Sequence, residues 1–119
     1  MDKDKMAQKL GPTMNIQNDS QLQCWIGLAH VKPQSNNRLL GDASGAFVPV
    51  LALASGIENF ISMATHFLDS CSFETIEIND VELYKDRLLH STVCGEIKEL
   101  RGSLSAENPI SVDVFQAYT

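Results

Sequence analysis

Three cysteines, three histidines and a run of carboxylates are the residues of this chain with most chemistry to offer, and their spacing decides which chemistry. Nucleophilic catalysis needs a cysteine or serine beside a histidine that an acid orients. The parts exist as Cys24, Cys71 and Cys94 with His30, His66 and His90, but in no local signature. Cys24 and His30 share a strand parity, yet six residues of extended chain hold them about 20 Å apart. Cys71 and Cys94 fall at helix packing positions, where a free thiol acts as a small apolar filler. Metal binding asks for spacings such as H-x-x-x-H or C-x-x-C. The chain has neither, so no metal site and no cofactor is expected. Glu74, Glu77, Asp80 and Glu82 lack the alternating ligands and glycine of a calcium loop. They read as the wet side of a strand and its turn, with Glu77, Asp80 and Glu82 as an acidic recognition edge.

The stretch RLLGDASG, residues 38–45, has the glycines of a phosphate-cradling loop. Neither G-x-x-x-x-G-K-[ST] nor G-x-G-x-x-G is present, and an apolar strand rather than a helix follows. The glycines therefore serve a turn with positive φ. The connection over residues 32–45 is long for a link between paired strands, a length often found in binding elements. Asn36, Asn37, Arg38 and Asp42 are its hydrogen-bonding candidates. Trp25, Phe47 and Tyr118 are aromatic candidates for a ligand pocket or a dimer face.

Around these groups stand 119 residues with a net charge of −6. That length suits one domain able to bury a sizeable core. Residues 73–107 hold eight acidic and four basic side chains, a local −4. Nucleic acid and anionic membranes call for clustered Lys and Arg, so neither is an expected partner. A basic protein is compatible, and the charge also keeps a small domain in solution. No apolar run reaches the roughly 18 residues of a membrane span. The N-terminal MDKDKMAQKL has no apolar signal region, and three widely spaced cysteines make no disulfide framework. A cytoplasmic location with free thiols follows as the expectation.

Residues 1–20 read as a flexible N-terminal tail broken by Gly11-Pro12, and residues 21–119 as a single domain. QLQCWIGLAHV is apolar on both faces, as in a central strand, with Gly27 at a close approach or bulge. AFVPVLALA is a second strand, placed at an edge or bulged by Pro49. Ser55-Gly-Ile-Glu58 has the form of a capping box. It opens a helix with Ile57, Phe60, Ile61, Ala64, Phe67 and Leu68 on one stripe. In SFETIEINDVELY the apolar phase slips across Asn79-Asp80, which requires a bulge or turn there. YKDRLLHS suits a short helical turn. Val93, Ile97, Leu100 and Leu104 mark a further helix capped by Ser91 or Thr92. PISVDVFQAY is a last strand.

The order ββαβαβ predicts an α/β (α+β) two-layer sandwich of about four strands, two helices on one face and some strands joined in parallel by helical crossovers. The helix-free face then invites a second copy of the chain, a homodimer. Two functions fit. One is a small, non-catalytic binding or protein-interaction domain, in one form an inhibitor or immunity-type protein, acting through the long loop and the acidic strand-turn region. The alternative is a small enzyme or ligand-binding protein with a pocket near His30 and Arg38.

Overall fold

A computed structural model describes residues 22–119, so the N-terminal tail expected over residues 1–20 lies outside the described residues. In chain order the elements are β1 (Gln23–Pro33), β2 (Gly45–Ala54), α1 (Ile57–Ser70), β3 (Phe73–Leu83), α2 (Tyr84–His90), α3 (Gly95–Ser103), β4 (Ile110–Val112) and β5 (Gln116–Tyr118). The strands form one sheet ordered β3-β1-β2-β4, with β5 also paired to β2. The mixed α/β sandwich is therefore the architecture. Its hydrogen-bonded neighbours are all antiparallel, however. The crossover through α1 does carry the chain from β2 to β3 in the same direction, but β1 is inserted between them.

Strand alternation sorts the side chains of β1 and β2 between two cores. Ala29, Val31, Ala46, Val48, Val50, Ala52 and Ala54 point to one face, where Phe60, Ala64 and Leu68 of α1 meet them. The sheet side of this core is alanine and valine, which lets the large Phe60 ring sit close and fully buried. Burying a side chain of that size stabilises the fold by roughly 1.5–3 kcal/mol. The α1 stripe is narrower than its sequence suggests, since Ile57 and Ile61 are exposed. Cys24, Ile26 and Leu51 point to the opposite face and pack with Tyr84, Ile97 and Leu104. Helix α3 thus covers the other side of the sheet from α1, rather than lying beside it. An apolar stripe shows that a helix has a face to bury. On a sheet that is apolar on both sides, it does not show where.

The phase slip in β3 has its structural counterpart. Ile26 pairs with Glu82 and Leu28 with Asn79, so Asp80 and Val81 together oppose Gly27. Asp80 takes the left-handed conformation at φ 56°, which aspartate tolerates better than most residues. The bulge returns both Ile78 and Val81 to the α1 core. Gly27 suits the close approach beside it: a Cβ there would lie 3.0 Å from Phe60 and 3.1 Å from Val81, a tight fit that those side chains would have to relieve. A second irregularity between His30 and Val31 leaves Ile76 without a register partner, and it is exposed.

Pro49 sits in an interior strand, not at an edge. It pairs in register with Leu28 on one side. On the other its carbonyl accepts from Asp113 N–H at 3.0 Å, so its missing N–H faces β4 and β5. The last strand is split into β4 and β5 at that point, as the loss of a ladder donor predicts. The capping box also takes another form. Gly56 is the N-cap of α1. Asn59 Oδ1 reaches back to accept from the Ser55 amide at 2.9 Å and its hydroxyl at 3.2 Å. Helix α3 begins after Cys94, not at Ser91 or Thr92.

Candidate functional site

The two helices leave one end of the α3 side of the sheet open. His30 of β1, Phe47 of β2 and Tyr118 of β5 occupy it. The His30 and Phe47 rings stack with centroids 4.5 Å apart and planes 16° off parallel. Tyr118 tilts against both, at 5.6 Å from His30 and 5.8 Å from Phe47. Its hydroxyl lies 2.6 Å from His30 Nε2, donating to the ring nitrogen or accepting from it according to the tautomer. Phe47 is 38% and Tyr118 39% exposed, so the cluster is open to solvent while its members hold one another in place.

Gly45 makes this arrangement possible. It pairs with Tyr118 in register, and a Cβ there would lie 2.7 Å from the ring carbon Cζ, closer still to the hydroxyl, and 2.9 Å from the Val31 carbonyl. The phenol can cross over β2 towards His30 because position 45 has no side chain. Tyr118 is also fixed through its backbone, whose carbonyl accepts from Ser44 N–H at 2.8 Å.

On the far side of His30, Glu77 of β3 is its register partner. Cross-strand partners point to the same face, so an exposed carboxylate borders the aromatic cluster. Among the described residues no ion-pair partner occupies Glu77, whereas Glu74 pairs with Lys32 at 3.8 Å and Glu82 with Arg87 and His90.

The loop over residues 34–44 rises at the same end of the sheet. Asn37 belongs to the fold rather than to a ligand: it is buried, and its amide donates to the carbonyls of Cys71 at 3.2 Å and Ser72 at 2.7 Å. Its Oδ1 accepts from Leu39 N–H at 2.9 Å, which leaves the side chain fully engaged. Gly41 adopts φ +64°, the turn its residue type suggests. Asn36, Arg38 and Asp42 are exposed. Arg38 and Asp42 line a shallow cavity of about 330 Å³ that His30 does not line. The two residues named for a shared pocket thus do not share this one.

Asp80 and Glu82 belong to a separate cluster. Arg87 Nε donates to Glu82 Oε2, and Arg87 Nη2 donates to the Asp80 carbonyl at 3.0 Å. His90 Nε2 meets Glu82 Oε1 at 2.7 Å, and Ser91 Oγ lies 3.1 Å from His90 Nδ1. The hydrogen bonds from His90 and then Arg87 hold the Glu82 carboxyl below the usual glutamate range. A serine–histidine–glutamate chain is assembled here, which no local sequence signature announces. The carboxylate is already neutralised by Arg87, and His90 is more than half exposed, so the chain acts as a strut from α2 to the β3 bulge.

Trp25 stands on the α1 face, packed against that core, on the far side of the sheet from Phe47 and Tyr118. Its indole N–H is buried without a partner among the described residues. The three aromatics therefore do not form one surface. Helices α2 and α3 pack on part of the face expected to be helix-free, so the premise of the homodimer expectation holds only for the open end of that face. Among the described residues there is no group of three or more metal-ligating side chains, and no helix is long and apolar enough to cross a membrane.

Compared with known protein families, curated proteins and solved structures, the chain finds no match.

Proposed function

We propose that this chain is a non-catalytic protein-recognition domain that takes a basic, extended segment of a partner on the open end of its sheet. The observation that carries this reading is the exposed His30–Phe47–Tyr118 cluster beside Glu77. An arginine guanidinium stacks on aromatic faces and pairs with carboxylates, and the site offers both within one cross-strand neighbourhood. A cation–π contact at such a site is worth about 0.5–2 kcal/mol. Asn36, Arg38 and Asp42 lie on the loop at the same end of the sheet, but Asn37 and Leu40 tie that loop to the α1 side, so the proposed recognition does not depend on them. The net charge of −6 steers a basic partner inward and repels phosphate backbones. In its most specific form the activity is inhibition, with the acidic surface masking a basic target.

Peptides that alternate arginine with valine test this, against the same peptides with glutamate for arginine, with binding followed by fluorescence anisotropy. The arginine series should bind, more weakly as salt rises. Tyr118→Ala should weaken it by about tenfold, the equivalent of one cation–π contact, and Glu77→Gln by a smaller factor. Equal binding of the two series, or full affinity in Tyr118→Ala, would refute the proposal.

A further inference from the structure

The opposite end of the sheet has a second depression, which the peptide-binding reading does not use. It is a cavity of about 300 Å³ where the start of β1, the end of β3, the start of α2 and the last turn of α3 come together. Leu22, Cys24, Leu83 and Tyr84 give it apolar walls, and Lys85 and Arg101 give it two cations. We propose that this cavity binds a small amphipathic anion, a carboxylate or phosphate head held by Lys85 and Arg101 with a short apolar body against the walls.

Charge is the first argument. The chain has fifteen acidic and nine basic residues, so cations are its minority charge. Among the described residues Lys32 and Arg87 each have a carboxylate within 4 Å, whereas Arg38, Lys85, Lys98 and Arg101 have none, and of these four Lys85 and Arg101 share the lining of this cavity. Two uncompensated cations therefore meet at one cavity. Helix electrostatics do not explain Lys85, because the first turn of a helix is where a cation gains nothing. Arg101 is half-buried, and its charge acts on the Cys24 thiol at the cavity wall, lowering a pKa that burial raises.

The walls are the second argument. Burial outweighs Arg101 at Cys24 and pushes the thiol up to about 11, so it stays neutral and serves as apolar surface, not as a nucleophile or a competing anion. Tyr84 is buried. A site with apolar walls and two cationic residues in its lining selects for a ligand with both characters. The volume, at the low end for ligand pockets, restricts the apolar body to a short chain or a single ring.

Isothermal titration of the full-length chain with hexyl phosphate, hexanoate, hexanol, hexylammonium and inorganic phosphate reads this directly. Saturable one-to-one binding is expected for hexyl phosphate, hexanoate or both, and the comparison of those two identifies the head group. Hexanol and hexylammonium should not bind, and inorganic phosphate should bind more weakly than hexyl phosphate. Arg101→Gln should weaken the alkyl anion about tenfold, the loss of one charge-assisted contact, and Lys85→Gln/Arg101→Gln should abolish it. Thermal melts of both variants establish that they are folded. NMR shifts should centre on Cys24 and Leu83, and the arginine peptides should not compete. Binding of hexanol as tight as hexanoate, unaltered binding by the folded double variant, shifts elsewhere, or no binding of either alkyl anion would each overturn the proposal.

Discussion

Replacing Gly45 by alanine should dismantle the aromatic cluster without touching any of its rings. The new Cβ would lie 2.7 Å from Tyr118 Cζ, so the ring must swing away. Leaving its place loses the hydroxyl contact with His30, worth about 0.5–1.5 kcal/mol. It also loses two tilted ring contacts, of which the better is worth about 0.5–1.5 kcal/mol. The Tyr118-dependent part is then about 1–3 kcal/mol in sum. Two effects do not involve Tyr118: a contact of 2.9 Å with the Val31 carbonyl, and the gain of roughly 0.5–1 kcal/mol expected when alanine replaces glycine in a strand. A double-mutant cycle separates these contributions. Urea unfolding of the wild type, Gly45→Ala, Tyr118→Ala and the double variant should give a coupling of about 1–3 kcal/mol, with alanine at 45 far better tolerated once the ring is gone. A coupling within about 0.5 kcal/mol of zero would mean that Gly45 does not seat Tyr118, and the recognition surface would lose its structural basis.

Stability should also respond to acid through Glu82. Its folded-state pKa is depressed, so its contribution is present above the ordinary glutamate pKa of about 4.3 and is lost as pH falls through the lower folded value. Thermal melts between pH 6 and pH 3 (about the window set by that reference value) should show a smaller decline for Glu82→Gln than for the wild type; equal slopes would contradict the strut. The thiols should react in order of exposure and acidity. Cys94 is exposed, Cys71 half-buried and Cys24 buried with a raised pKa, so iodoacetamide at neutral pH should label Cys94 first and Cys24 only on unfolding. Mass spectrometry that finds Cys24 modified early would show the α3 core to be open.

Local chemistry was written plainly in the sequence. The slip between Ile78 and Val81 located the β3 bulge, because a strand with a buried side must keep its apolar residues on that side. Pro49 marked a fault in the ladder, although it interrupts an interior strand on one side only. The stripe of Phe60, Ala64 and Leu68 gave α1 and its buried side. Long-range placement was not legible. β1 and β2 are apolar on both sides, so either could have received α3. His30 and Tyr118 lie 88 residues apart, and only the closure of β5 onto β2 brings them together. The sequence singled out His30, Glu77, Phe47 and Tyr118, but grouped the last two with Trp25, which lies on the other face, rather than with His30 and Glu77. It did not signal the partners of Glu82, because Arg87 and His90 reach it from a helix whose orientation depends on the bulge before it.

The path of β3 also bears on how copies of this protein behave when crowded. A sheet rim eleven residues long is ordinarily a template on which a neighbour's backbone can grow a fibre. Here the regular ladder is cut into residues 73–75, 77–79 and 82–83, so an incoming strand finds no more than three successive residues in step. Each segment also carries a carboxylate, which makes an identical rim a poor mate. The irregularities that keep Ile78 and Val81 inside thus also discourage polymerisation along that border.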